Sequence, residues 1–173
     1  MSVSTRTGDR GTSGLMFNRR VSKHDIHLEA IGSVDELTSA IGLARAQIPE
    51  SARLLAIQHV LVTLMGELAL LPEDLAKYRE AGHPALGPAP LASVDAWLTE
   101  LENGQGLRFE GWAIPGANGT AAAFDWARAV CRRAERRVSA LSEMTVVDEE
   151  IPRYLNRLAD LLWLLARKFE KTP

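Results

Sequence analysis

Thr120-Ala-Ala-Ala-Phe-Asp-Trp-Ala-Arg-Ala-Val-Cys-Arg-Arg-Ala-Glu-Arg-Arg-Val-Ser-Ala-Leu141 is the stretch on which the fold turns. Its apolar positions Ala123, Ala127, Val130, Ala134, Val138 and Leu141 recur at steps of three and four, lining one face of a long helix that starts near Thr120. The following segment repeats the pattern: Pro152 suits a first turn, and Leu155, Leu158, Leu162, Leu165 and Phe169 form the buried stripe. Upstream, Ser33-x-x-Glu36 reads as a capping box. It would open a helix carrying Leu37, Ile41, Leu43 and Ala44, with Asp35 as a favourable first-turn charge and an end near Gln47. Pro49 and Ser51 open a second amphipathic segment with Leu54, Ile57, Leu61, Leu64 and Leu68, which closes before Pro72. A loop from Gly82 to Pro90 leads to a shorter helix over Leu91–Glu102, ended by Asn103-Gly104-Gln105-Gly106, and Phe109 to Gly119 is a connector. No strand is expected. The expectation is an all-α, up-and-down bundle of about five helices over 33–171, preceded by a loop over 1–25, in one domain.

Composition narrows the function classes. The 173 residues, 46% of them hydrophobic, suffice for one sizeable core. Twenty Lys and Arg against 22 Asp and Glu leave a net charge of −2, so no broad field awaits nucleic acid or an anionic membrane, and any anion site is local. No segment approaches 18 consecutive apolar residues, the N-terminus lacks a signal-like apolar run, and the single Cys131 cannot pair internally. A soluble, cytoplasmic protein is the expectation. His24, His27, His59, His83 and Cys131 show no zinc spacing, so a protein-held transition metal is not expected.

Two features carry chemistry. Thr5-Arg6-Thr7-Gly8-Asp9-Arg10-Gly11-Thr12-Ser13-Gly14 offers Gly8, Gly11 and Gly14 for positive φ, hydroxyls from Thr5, Thr7, Thr12 and Ser13, and charge from Lys23. That chemistry suits a phosphate chain, although its spacing is neither a Walker A loop nor a dinucleotide fingerprint. Arg128, Arg132 and Arg136 recur every four residues, with Arg133 and Arg137 extending the cationic surface. Five arginines beside one Glu135 repel each other unless an anion sits among them, and guanidinium forks suit phosphate oxygens. Asn156, Asp160 and Trp163 share one stripe of the last helix, and Trp112 beside Pro115-Gly116 reads equally well as a loop anchor.

Five segments taken in order resemble the PduO-type ATP:cob(I)alamin adenosyltransferases. They are Thr5-Arg-Thr-Gly-Asp-Arg-Gly-Thr12, Val21-Ser-Lys23, Glu29-Ala-Ile-Gly-Ser-Val-Asp-Glu-Leu37, Ala127-Arg-Ala-Val-Cys-Arg-Arg-Ala-Glu-Arg-Arg137 and Leu155-Asn-Arg-Leu-Ala-Asp160. The resemblance covers essentially the whole chain. It implies a homotrimer in which each ATP lies between the N-terminal loop of one subunit and helices of its neighbour. It places ATP contacts on Thr5, Arg6, Thr7, Gly8, Ser13, Gly14, Lys23, Arg132, Arg133, Ala134, Glu135, Arg136 and Asn156. Asp35 and Arg128 would pair across the interface and, with Lys23 and Arg132, form the catalytic set. Trp112 and Trp163 fall where the family usually has phenylalanines facing the corrin. Mg²⁺ would come with ATP, with Glu135 as its candidate protein ligand.

The chain departs from the family at two places. After Leu15 the family commonly runs through an aromatic residue into Gly-Gly, whereas Met16-Phe17-Asn18 stands here, so a stiffer loop or an altered path is expected. Tryptophans replace phenylalanines, and Pro115-Gly116-Ala117 stands where Pro-Gly-Gly is usual. The implied activity is transfer of the 5′-deoxyadenosyl group of ATP to the cobalt(I) of cobalamin or another reduced corrinoid, forming adenosylcobalamin and releasing tripolyphosphate. A reductase and an adenosylcobalamin-dependent acceptor enzyme are the implied partners. The rival is a non-catalytic nucleotide or corrinoid carrier that keeps the binding face without turnover.

Overall fold

The computed structural model describes residue 4 and residues 6–49, 51–104 and 111–170. Among these lie six helices and a two-stranded sheet: β1 Thr12–Gly14, β2 Arg20–Ser22, α1 Ile26–Arg45, α2 Ala52–Leu68, α3 Leu75–Glu80, α4 Pro88–Gly104, α5 Gly119–Ser142 and α6 Glu150–Glu170. The mostly helical character agrees with the sequence expectation, but the helices number six where about five were expected. The sixth, α3, is a short helix that follows the turn at Pro72–Asp74 and carries too few residues to show a periodic apolar face. Gln105, Gly106 and Phe109, read as a helix stop and the start of a connector, lie outside the described residues.

The capping box is not one. Asp25 caps α1, its Oδ1 accepting the His27 N–H at 2.9 Å. Ser33 sits buried mid-helix, its hydroxyl donating to the Glu29 carbonyl at 2.8 Å, and Asp35 therefore stands exposed well inside the helix. The absence of strands is corrected too. β1 and β2 pair antiparallel, Thr12 with Ser22 and Gly14 with Arg20, in strands of three residues that sequence periodicity cannot reveal.

Helix α5 packs against α1 on one side and α6 on the other, with α2 beyond α1 and α4 beyond α6. The stripe read from the sequence fills this core: Ala127, Val130, Ala134, Val138 and Leu141 meet Leu155, Leu158, Leu162 and Leu165. Asp125 and Arg167 form a buried ion pair at 2.6 Å, and Arg167 also reaches Glu170 at 3.0 Å. Removing one member of such a pair strands the other and costs about 3–5 kcal/mol. Asn118 caps α5 through Ala121 N–H at 2.9 Å and donates to the Phe169 carbonyl at 2.7 Å, tying the loop before α5 to the end of α6. Cys131 is enclosed in the core with its thiol donating to the Leu155 carbonyl at 3.2 Å, and burial pushes that thiol far up, so it is no nucleophile. Among the described residues, no single helix is long and apolar enough to cross a membrane.

Candidate functional site

The N-terminal loop is a hairpin fastened to the bundle. Arg20 holds it from within, its guanidinium donating to the Thr7 carbonyl at 2.8 Å and the Thr12 hydroxyl at 2.6 Å. Of Gly8, Gly11 and Gly14 only Gly11 takes a positive φ, at 76°. Gly8 matters for closeness and not for φ: a Cβ there would stand 3.3 Å from Lys23 Nζ, the far end of a flexible side chain that lies against the loop. Arg6, Thr7 and Lys23 are exposed, and Ser13 and Gly14 lie in β1. Thr5 lies outside the described residues.

The loop is clamped on its far side. Arg19 grips Asp74 with two bonds, Nε to Oδ2 at 2.8 Å and Nη2 to Oδ1 at 2.9 Å. This hydrogen-bonded pairing holds the Asp74 carboxyl below the usual carboxylate range and raises the Arg19 guanidinium. Phe17 and Asn18 stand at φ 55° and 59°, a conformation that glycine takes freely and other residues adopt under strain of about 1–3 kcal/mol.

The arginine helix divides its cations. Arg133 pairs with Glu36, and Arg137 with Glu29 at 3.0 Å, both carboxylates supplied by α1. The imbalance visible within α5 alone is thus partly answered by its neighbour, which periodicity in one helix does not show. Arg128, Arg132 and Arg136 remain, and among the described residues the Arg128 and Arg132 guanidinium groups make no hydrogen bond or ion pair. Arg136 donates to the Arg132 carbonyl at 2.9 Å. Arg132, Glu135, Arg136, Ser139, Glu143 and Asn156 line a cleft of about 360 Å³ between α5 and α6. Within it Asn156 Nδ2 donates to Glu135 Oε1 at 3.0 Å. Ala134, in the same sequence run, is fully buried, and its side chain takes no part in the cleft.

The polar stripe of α6 is split between two hollows. Asn156 faces the cleft just described, while Asp160 and Trp163 line a second hollow of about 370 Å³ with Arg128, Arg157, Glu102 and Leu98. Arg157 there bridges Asp95 at 2.7 Å and Asp160 at 3.7 Å. Asp35 opens on a third hollow with Leu43, Trp126, Val130 and Arg133, away from Arg128. Leu43 and Trp126 are more than half exposed. Trp112 is 95% exposed and Ile114 77%, so among the described residues Trp112 is packed against nothing, which speaks against its reading as a loop anchor.

A sequence profile described as "Cobalamin adenosyltransferase" matches residues 3–169. The chain belongs to the cobalamin adenosyltransferase family. It is 41% identical to a "Cobalamin adenosyltransferase" of Cupriavidus metallidurans over 95% of this chain and 86% of that protein. A "Corrinoid adenosyltransferase" of Citrobacter freundii is 34% identical over 99% and 96%. The fold is shared with a variant PduO-type ATP:corrinoid adenosyltransferase from Lactobacillus reuteri, solved in complex with cobalamin and ATP. That match has a TM-score of 0.88 at 24% identity, covering 98% of this chain and 93% of that one.

Sequence reasoning did not find Arg19 or Asp74, which clamp the loop to the bundle. Their signal is spatial, 55 residues separating Arg19 from Asp74, and no local pattern joins them.

Proposed function

We infer that this protein transfers the 5′-deoxyadenosyl group of ATP to the cobalt of a reduced corrinoid, cobalamin or a close relative, forming adenosylcobalamin and releasing tripolyphosphate. The observation that carries this reading is the cleft where Arg132, Arg136 and Asn156 converge with the Arg132 guanidinium uncommitted, in a chain of this family. A guanidinium without a carboxylate partner in a concave, polar cleft is suited to phosphate oxygens.

The loop and the cleft belong to different subunits of a homotrimer on this reading. Each ATP lies between Arg6 to Gly8, Ser13, Gly14 and Lys23 of one chain and Arg132, Arg133, Glu135, Arg136 and Asn156 of the next. Thr5 completes the loop side. The exposed Leu43 and Trp126 beside Asp35 supply an apolar patch that a second copy would cover, placing Asp35 within reach of a neighbour's Arg128.

The chemistry requires no nucleophile from the protein. The cobalt electron pair forms the bond to ribose C5′ while the C5′–O bond breaks, and the triphosphate leaves with that electron pair. The protein holds C5′ in line and stabilises the charge gathering on the leaving group through Lys23, Arg132, Arg136 and loop N–H groups. Losing one such donor costs on the order of 3 kcal/mol of barrier. Mg²⁺ accompanies ATP and offsets phosphate charge when bound. Among the described residues no three His, Cys, Asp or Glu side chains gather as a metal site, whereas Glu135 keeps one carboxylate oxygen clear of Asn156 and fits a single contact to a nucleotide-borne ion. Trp112 and Trp163 face the corrin, where a large apolar side chain can displace the lower axial donor and ease reduction of cobalt(II). A reductase supplies the electrons, and an adenosylcobalamin-dependent enzyme takes the product.

The test is anaerobic mixing of the protein with chemically reduced cobalamin and MgATP. Formation of a light-sensitive adenosylated corrinoid is expected. Tight binding of both substrates with no product would support the carrier reading instead.

A further inference from the structure

We propose that Phe17, seated between Lys77 and His83, is a positioning residue that keeps the nucleotide loop folded before ATP arrives. The proposal rests on the reading of residues 6–23 as the ATP-binding loop.

Phe17 and Asn18 occupy the two positions where the family commonly has Gly-Gly, and both take left-handed φ values, 55° and 59°. The chain thus follows a path that glycines adopt freely, with residues that resist it. Non-glycine residues persist in that region only where their surroundings hold them. Here the surroundings are explicit. Lys77 Nζ lies 4.2 Å from the centre of the Phe17 ring, and His83 meets the same ring edge-on at 6.2 Å. His83 in turn stacks on the buried Tyr78 at 4.8 Å. On either side, Met16 N–H donates to the Ala69 carbonyl at 3.1 Å, and Arg19 grips the buried Asp74.

The consequence concerns where ordering entropy is lost. A glycine pair leaves a loop many alternatives, which a ligand must then suppress on binding; a docked Phe17 removes those alternatives during folding. Leu15 N–H to the Arg19 carbonyl at 2.8 Å and Lys23 N–H to the Gly11 carbonyl at 2.9 Å close the same hairpin and hold Lys23 beside Gly8. Among the described residues the Phe17 ring meets Lys77 and His83, neither of them a proposed phosphate contact, so its effect falls on nucleotide affinity and not on the reacting atoms.

The experiment compares full-length wild-type protein with Phe17→Gly, Phe17→Tyr and Lys77→Ala. It reads ATP affinity by calorimetry, amide exchange over residues 8–23 without nucleotide, and steady-state kinetics. Wild-type Leu15, Met16 and Lys23 amides should be protected in the absence of ATP. Phe17→Gly should lose that protection and bind ATP about tenfold more weakly, with kcat at saturating ATP and KM for the corrinoid unchanged. Phe17→Tyr should restore both properties, and Lys77→Ala, a change at an exposed side chain, should weaken ATP binding in the same direction while melting as wild-type does. Unchanged ATP affinity in Phe17→Gly and Lys77→Ala, or fast exchange of the wild-type loop without ATP, would overturn the proposal. Wild-type protein that binds no ATP at all would overturn the underlying function and this inference together.

Discussion

Asn156 Nδ2 donates to Glu135 Oε1 at 3.0 Å across the seam of α5 and α6, so this carboxylate of the arginine cleft is engaged by an amide and not by a guanidinium. Arg132 therefore faces the cleft with its charge available. Arg132→Ala and Lys23→Ala should each weaken ATP binding or turnover at least about tenfold, since charge-assisted hydrogen bonds are worth about 1.5–3 kcal/mol. Circular dichroism and Tm should stay at wild-type values. Near-wild-type ATP kinetics in both variants would remove these residues from the site.

Asn156→Ala tests the same arrangement from the other side. Without its amide partner, Glu135 is free to turn toward Arg132 and compete with phosphate. ATP affinity should fall by a few-fold, about the 1 kcal/mol of one hydrogen bond, and Glu135→Gln in the same background should recover part of it. No recovery would mean that Asn156 contributes only its own contact.

Asp35 and Arg128 open on separate hollows of one chain, as expected if each awaits a partner on a neighbouring subunit. Arg128→Ala should lower trimer stability or activity, and Asp35→Arg combined with Arg128→Asp should partly restore it, read by sedimentation and by adenosylation rate. A wild-type protein that sediments as a monomer at micromolar concentration would contradict this pairing.

The long helices were legible because each carries a repeating apolar stripe, and Leu155, Leu158, Leu162 and Leu165 lie in the core where that stripe put them. The start of α1 was misplaced by Ser33 and Glu36, which imitate a capping box although a buried helical serine can equally bond back to the Glu29 carbonyl. Local pattern could place Arg133 and Arg137 on the cationic face but not supply Glu36 and Glu29 from another helix. The loop clamp was invisible for the same reason, since Arg19 and Asp74 meet only once α2 has turned the chain back.

Glu67 links stability to pH. Its carboxylate accepts the Leu86 N–H at 2.5 Å, yet partial burial raises it above the usual carboxylate range. A raised acid favours the fold when protonated, so its contribution is present at low pH and is lost as pH rises through its folded value. Glu67→Gln keeps an acceptor oxygen without the charge and should raise Tm at pH 7 by about 2 °C or less, allowing for solvent screening. The difference should vanish below the usual carboxylate range. A Tm lowered at pH 7 and equal to wild type at acid pH would show that the charge itself is needed, and would contradict this account.

Trp112, almost wholly exposed, offers a separation of roles. Trp112→Ala should leave ATP affinity and Tm unchanged, while the four-coordinate cobalt(II) spectrum and the reaction starting from cobalt(II) are lost. Preformed cobalt(I) should restore much of the rate. An unchanged cobalt(II) spectrum would move the wedge beneath the corrin to Trp163.

The most direct test of adenosyl transfer follows the carbon itself: ATP labelled at C5′ is mixed anaerobically with reduced cobalamin and the protein, and the products are separated in the dark. The label should appear on the corrinoid in a bond that light breaks, with one tripolyphosphate released for each cobalt alkylated. Label that stays with the nucleotide, or release of orthophosphate or pyrophosphate in place of tripolyphosphate, would contradict the assigned reaction.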